Sequence, residues 1–358
     1  MIRVSCDVLA AFSAAILEAA GALPDEAQCV ARSLVDADLC GYASHGVMRV
    51  PFYCEAIAKN ETIPGATFSV LRESEVVLAA DGNWGFGQVQ CRRLVERVLT
   101  KADRFGLAAG TLIHASHIGR LGEYCEMAAA RGMLSMLMVN THGAARRVAP
   151  PGGKSPRLGT NPMALGAPTD QDPLILDFST SATAEGKVRT LSLAGKPCPP
   201  GWLLDSEGRP TTDPNVLYRD PPGSILPMGG DQPYKGFGLA LMIDIFAGAL
   251  SGGLCAREVP QTPKGNCVFF AAMKPEAFGG RQHYQQEVAQ LCAFVRSCPR
   301  VEGAGEILLP GDPERRQRQE RLENGIPIED AVWNRLTELA RQLAVPVPAV
   351  EIRRQERD

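Results

Sequence analysis

The chain has 358 residues, 45% of them hydrophobic and 22% charged, with a formal net charge of −3. That length holds a large core in two or three subdomains, and the near-neutral charge leaves no electrostatic footprint for nucleic acid. The N-terminus lacks a basic region leading into an apolar core, and the most apolar stretch, 237–250, carries Asp244 and is shorter than the roughly 20 residues of a membrane span. No membrane partner is expected.

In chain order, residues 1–60 read as helical. Val30, Leu34 and Ala37 recur at helical spacing between a start signal at Pro24-Asp25 and a stop at Gly41, and Val47, Val50, Cys54 and Ile57 continue the pattern. Ser44-His45-Gly46 lies at the junction, with Arg49 one turn further on. Two readings stand. Ser44 caps the second helix and His45 is an exposed first-turn residue, or a group that titrates near neutrality sits beside a guanidinium able to fork onto a carboxylate.

From about residue 75, short β-rich runs at 76–78, 108–113, 134–139, 174–178 and 267–273 alternate with helices, one of them at 123–131 and ended by Gly132. The Pro- and Gly-rich stretch 196–230, with a turn at 205–209, reads as an excursion from the sheet, and 237–250 reads as a buried helix. Asp312-Pro313-Glu314 starts a helix that Gly325 stops, and a last helix spans about 329–343. The basic cluster 315–321 is interleaved with Glu314, Glu320 and Glu323 and reads as a solvated face. The expected division is a helical domain of residues 1–70, joined by 312–358, and an α/β domain of residues 71–311 with an excursion at about 190–230.

Eleven scattered cysteines form no Cys-x-x-Cys pair. Most fall in apolar runs, which points to a reducing, cytoplasmic setting and no structural zinc. Gly152-Gly153-Lys154-Ser155 lacks the P-loop glycine, since position 148 is Val148. Gly85-Phe86-Gly87 and Gly236-Phe237-Gly238 lack the third glycine and the strand–loop–helix setting of a Rossmann fingerprint. His114 and His117 are three apart without a nearby carboxylate motif, so no metal site is expected.

Other stretches carry weaker signals. Ser116-His117-Ile118-Gly119-Arg120 precedes a helix whose free N–H groups suit a pyrophosphate. Gly159-Thr160-Asn161-Pro162 is a tight polar turn ahead of an apolar strand. Asp177 ends a strand at the edge of an expected cleft, followed by hydroxyls at Ser179, Thr180 and Ser181. Tyr234-Lys235 places a cation at a helix start. Singly, each reads equally well as a turn or a cap.

Together these stretches resemble the malate/L-lactate dehydrogenase family, which is unrelated to the Rossmann-type lactate dehydrogenases. The resemblance runs from about residue 5 to 345 and rests on ordered landmarks: 44–49 (SHGVMR), 86–89 (FGQV), 116–120 (SHIGR), 157–162 (RLGTNP), 176–181 (LDFSTS), 208–213 (GRPTTD) and 235–239 (KGFGL). The patterns at 307–312 (ILLPGD) and 324–327 (NGIP) look most like the hydroxycarboxylate dehydrogenase B branch.

The resemblance implies a sulfolactate/malate dehydrogenase-like α/β fold: a mostly antiparallel, mixed sheet flanked by helices, non-Rossmann, with a helical domain from both termini. It also implies a homodimer, a nicotinamide cofactor (NAD, with NADP as the alternative) and a 2-hydroxy acid or 2-oxo acid substrate. By position, the cofactor contacts fall on His45, Gly119, Arg120 and Leu121, on Ile175, Leu176, Asp177, Phe178 and Ser179, on Tyr234 and Lys235, on Asn266, and on Gly311, Asp312, Pro313 and Glu314. His45 matches the family's proton donor and acceptor, supported by Ser44 and Asp177, with His117 as the competing base. Arg49 is assigned the substrate carboxylate, with Thr160 and Asn161 beside it. The chain departs from the family where Ala43 replaces a common aspartate, where 229–235 is longer, and at Thr141-His142 and Arg146-Arg147 in a variable loop. Two other activities fit less closely: reduction of a cyclic imine such as Δ1-piperideine- or Δ1-pyrroline-2-carboxylate, and dinucleotide binding without catalysis.

Overall fold

The computed structural model describes residues 2–259 and 263–349. The elements run β1 (Ile2–Val4), α1 (Cys6–Ala19), α2 (Pro24–Leu39), two 3-10 turns at Ala43–His45 and Val47–Arg49, α3 (Val50–Ala58), β2 (Ser69–Glu73), β3 (Val77–Asp81), α4 (Gly87–Phe105), β4 (Leu107–Ala115), α5 (Gly122–Ala129), β5 (Leu134–Asn140), β6 (Pro162–Ala167) and β7 (Leu174–Ser179). There follow α6 (Glu185–Leu193), β8 (Leu203–Leu204), β9 (Pro210–Thr211), β10 (Ser224–Ile225), α7 (Tyr234–Ile243) with a π-helical continuation at Asp244–Ala249, β11 (Asn266–Met273), α8 (Arg281–Arg296), α9 (Asp312–Asn324), β12 (Ile326–Ile328) and α10 (Asp330–Gln342).

The main sheet has the order β2-β3-β4-β11-β5-β6-β7, and only the β3–β4 pair is parallel. One face is covered by α4 and α5, whose Leu94, Val98, Tyr124 and Cys125 pack with Leu112, Leu137 and Phe270 of the strands. The approach of α4 is close because Gly110 has no Cβ; one there would collide with Val98 and Leu94. The other face carries Met138, Met163 and Phe269 against Ile243 and Phe246. β8, β9 and β10 form a small separate sheet in the 190–230 excursion, its turn held by Asp205 accepting the Glu207 and Arg209 N–H groups. Both chain ends meet in one apolar cluster, in which Leu9, Ile16 and Leu34 pack with Ile326, Trp333 and Leu336.

Three expectations are corrected. Residues 2–4 form a strand, because Ile2 and Val4 alternate inward and find a partner only in β12. The 237–250 stretch is helical but only partly buried: Leu241, Met242, Ile245 and Leu250 are exposed, and the side that carries Ala240, Ile243, Asp244, Phe246 and Ala247 faces the sheet. The basic cluster of α9 is not a solvated face. Arg318 pairs with Asp36 of α2, Arg321 donates to the Asp38 carbonyl, and Arg315 donates to the Pro173 carbonyl at 2.7 Å. With no buried residue of its own, α9 docks on α2 through charge rather than apolar contact. Residues 350–358 of the expected C-terminal segment lie outside the described residues.

Leu336 is fully buried where the two chain ends meet. Leu336→Ala should destabilise the protein by about 2–5 kcal/mol, read as a lower urea midpoint; an unchanged midpoint would show that α10 contributes little to the fold.

Candidate functional site

The Ser44–Arg49 turn takes its shape from a single contact. Asp38, near the end of α2, turns its buried carboxylate under the turn and accepts the Val47 N–H at 2.8 Å. A Cβ on Gly46 would fall on that carboxylate, so the glycine is required by space and not by backbone conformation. Burial pushes the Asp38 carboxyl up to about 7, against the opposing pull of the Val47 N–H and Arg321. Ser44 caps no helix; α3 starts only at Val50. Its hydroxyl lies 3.0 Å from His45 Nδ1, and its carbonyl accepts from Arg49 Nε at 2.7 Å.

The loop after β4 brings a second imidazole to the first. The rings of His45 and His117 stack with centroids 5.4 Å apart. The Gly119 N–H donates to His117 Nδ1 at 3.3 Å, so that nitrogen is an acceptor and the proton of the neutral ring is assigned to Nε2. Tyr53 of α3 donates to the same Nδ1 at 2.8 Å and accepts from Gln88 Nε2 at 2.9 Å. His117 therefore presents a fixed Nε2–H, whereas the Ser44 hydroxyl can rotate and leaves either tautomer open to His45.

Burial, then the charges of Arg49 and Arg120, lowers His45 to about 3. Burial and the same Arg49, with His45, hold His117 well below the usual histidine range. Both rings are neutral at physiological pH. Arg49 is itself held below its ordinary value by burial, with Tyr53 and Glu185 pulling the other way. Among the described residues no carboxylate hydrogen-bonds to Arg49 or to either ring. Glu185 of α6 is spent on Arg189 and Tyr218, and α6 is so close that a Cβ on Gly186 would strike Ser44.

Another expected group gathers a short distance away. Arg120, Ile175, Asp177, Gly311 and Glu314 line one cavity of about 180 Å³ with Tyr42, Arg315 and Arg318. Tyr42 donates to Glu314 at 2.9 Å. Arg120 is buried between Asp36 and Glu126, each at 2.8 Å, and its Nε has no partner. Asp177 accepts the Gly122 N–H at 2.8 Å and is raised by burial to about 6. It makes no hydrogen bond to His45, so the expectation that it supports that ring directly is corrected: its carboxylate caps α5.

The remaining expected residues are dispersed. Leu121 is in the core, Leu176 is exposed, Phe178 packs on the α7 side, and Ser179 accepts from Ser181. Asn266 accepts the Ile118 N–H at 3.0 Å and donates to the Asn140 carbonyl at 2.8 Å, anchoring the His117 loop. Asn161 donates to the Ala240 carbonyl, and Thr160 accepts from Thr180. Asp312 and Pro313 form the first turn of α9, with Asp312 held low by the Leu309 N–H, Arg315 and Arg296. Tyr234 and Lys235 are exposed at the start of α7. His114 does have a carboxylate, Asp81, 33 positions away and 2.9 Å from its ring. Sequence offers no role for Tyr53, and it offers Gln88 only as part of the 86–89 landmark.

The malate/L-lactate dehydrogenase family model matches residues 4–337. Hydroxycarboxylate dehydrogenase B of Escherichia coli O157:H7 is 36% identical over 96% of this chain and 95% of its own. L-lactate dehydrogenase of Cupriavidus necator is 33% identical over 93% and 95%. The solved malate dehydrogenase of Pyrococcus horikoshii superposes with a TM-score of 0.87 at 33% identity, covering 96% of both chains.

Gly46→Ala should cost about 3 kcal/mol by overpacking against Asp38, measured as the urea unfolding midpoint. A midpoint equal to wild type would mean that Asp38 does not shape the turn.

Proposed function

The chain belongs to the malate/L-lactate dehydrogenase family, and we propose that it is a dehydrogenase acting between a 2-hydroxy acid and the matching 2-oxo acid. The observation that carries this reading is a half-buried pair of neutral imidazoles beside a half-buried guanidinium that has no carboxylate partner among the described residues. Arg49 holds the substrate carboxylate and fixes its orientation. His45 takes the hydroxyl proton in oxidation and returns it to the carbonyl oxygen in reduction. Ser44 orients His45, and His117 offers its fixed Nε2–H beside it.

The residues fit a nicotinamide dinucleotide at the neighbouring cavity. Asp177 and Glu314 offer the acceptors that ribose hydroxyls need, Arg120 has an orphaned buried Nε, and Gly311 gives close backbone approach. The nicotinamide, when bound, supplies or takes the hydride. NAD is favoured over NADP, because the guanidiniums of this cavity are already engaged by carboxylates or a carbonyl: Arg120 and Arg318 on Asp36, Arg315 on Asp312 and Pro173. The same reading divides the protein into residues 1–70 with the C-terminal helices and residues 71–311, with the site at their junction. A homodimer would cover the apolar face of α7, in a cytoplasmic setting that suits eleven free thiols.

A panel of 2-hydroxy acids, 2-oxo acids and cyclic imines, each with NAD(H) and NADP(H), tests the assignment. Turnover confined to cyclic imines would replace it with imine reduction, and cofactor binding without any turnover would replace it with non-catalytic binding. His45→Ala should bind cofactor normally and lose about 10²–10⁴ in turnover; near-native turnover would remove His45 from the chemistry. Arg49→Lys should chiefly raise KM, since a lysine keeps the charge without the fork.

The sign of the pH dependence follows from the lowered His45. In the free protein the ring is neutral above about 3, so reduction must draw its proton from solution. The kcat/KM for 2-oxo acid reduction should fall about tenfold per pH unit between pH 5 and 8, because that parameter reports the free enzyme. A plateau below pH 6.5 would show an ordinary histidine instead.

A further inference from the structure

A second titratable cluster lies at the same end of the sheet, outside the proposed catalytic groups. His114 Nδ1 is 2.9 Å from Asp81 Oδ2; its ring lies 5.0 Å from Trp84 and 4.9 Å, edge-on, from His142, whose Nδ1 is 3.0 Å from Cys267 Sγ. Asn83, Trp84, His114 and His142 all have left-handed backbones, with φ of 46°, 59°, 47° and 49°. They are four of the seven non-glycine residues with positive φ among those described, so local strain is concentrated at this one place.

The strand register gives the strain a purpose. β4 pairs with β11 as Ala115↔Asn266 and Leu112↔Val268, so Ile113 and His114 both oppose Cys267. That is a β-bulge in β4. One extra residue reverses the side to which the strand's last residue, Ala115, points, and so sets where the loop that carries His117 leaves the sheet. The bulge is fastened from the loop that follows β3: Gly82 N–H donates to the Ile113 carbonyl at 2.9 Å, Trp84 N–H to the His114 carbonyl at 2.6 Å, and Ser116 N–H to the Gly85 carbonyl at 3.0 Å. Asp81 joins both sides of this seam, accepting the Asn83 N–H at 2.7 Å with one oxygen and facing His114 with the other.

We propose that His114, held by Asp81, is a positioning residue that locks the bulge and so aims His117 at His45. The inference rests on the dehydrogenase reading for its kinetic consequence, but not for its structural one. His114 touches no reacting atom; it acts through the backbone of residues 113–117. Asn266 anchors the far side of the same loop through the Ile118 N–H, so the loop is tied at both ends and the imidazole between them is fixed.

The test combines rate with the ring signals of His117, assigned by their loss in His117→Gln. In nitrogen-15 spectra of the wild type, His117 should show one Nε2–H tautomer. His114→Gly removes the Asp81 contact while permitting the backbone angle; it should broaden or shift the His117 pattern and lower kcat about 10²-fold, the usual cost of misplacing a reacting group by 1 Å. Cofactor affinity should not change. His114→Asn tolerates the same backbone angle and can still bond Asp81, so it should restore the His117 pattern and most of kcat. Asp81→Asn, which keeps the shape without the charge, should move both readouts in the same direction to a smaller extent, and it serves if His114→Gly does not fold. Unchanged His117 signals in both His114→Gly and Asp81→Asn would overturn the proposal. So would His114→Asn behaving like His114→Gly. A wild type that turns over no 2-hydroxy or 2-oxo acid would refute the dehydrogenase reading alone, since the ring signals still decide the positioning role.

Discussion

The site is governed by one electrostatic imbalance: a guanidinium and two imidazoles are half-buried together and, among the described residues, no carboxylate is bonded to any of them. A buried charge left unpaired is costly, and proteins ordinarily pair it or neutralise it. Here the histidines are neutralised and Arg49 stays charged. Glu185, whose field reaches Arg49, is already bonded to Arg189 and Tyr218. On the proposed reading the missing anion comes with the ligand, so the pocket should suit a carboxylic acid better than a neutral alcohol of the same shape.

Holding that imbalance requires a rigid surround, and α2 is its spine. Asp38 fixes the Gly46 turn from below, while Asp36 receives both Arg120 from the sheet domain and Arg318 from α9. Arg321 adds a bond to the Asp38 carbonyl. Segments nearly 300 positions apart are thus tied to one helix, directly beneath the residues that carry His45 and Arg49. These contacts are half-buried or buried, where ion pairs matter more than on an open surface. Their value lies in location more than in total stability.

Local patterns made part of this legible. Helical spacing and cap signals placed α2, α5, α9 and α10, and β-rich runs placed five strands of the main sheet, because each pattern is short-range. The Ser44–Arg49 landmark was legible for the same reason. What escaped depended on tertiary partners. The arginines of α9 look solvated in sequence because their carboxylates are on α2; α7 looks buried because composition does not say which of its faces meets the sheet. The contact of Tyr53 and Gln88 with His117 is not legible because, although Gln88 lies in the 86–89 landmark, neither belongs to a contiguous motif with His117. The His114–Asp81 pair was missed because a bulge, being a one-residue register shift between distant strands, leaves no mark on periodicity. Asp177 shows the converse: its position near a strand end was read correctly, but its partner was the α5 backbone and not His45.

The imbalance also couples substrate to proton. Arg49 is one of the two charges that lower His45, after burial itself. On the proposed reading, a carboxylate seated on Arg49 offsets that charge at close range, so His45 becomes a stronger base once the acid is bound. By reciprocity, a protonated His45 favours a bound anion by the same factor. In the free site, where His45 is neutral, a 2-hydroxy acid needs no proton to bind and finds a base whose strength rises on binding. A 2-oxo acid must arrive with a proton from solution. On the proposed reading, one half-buried arginine next to one half-buried imidazole thus links substrate grip and base strength, with no carboxylate bonded to the ring among the described residues.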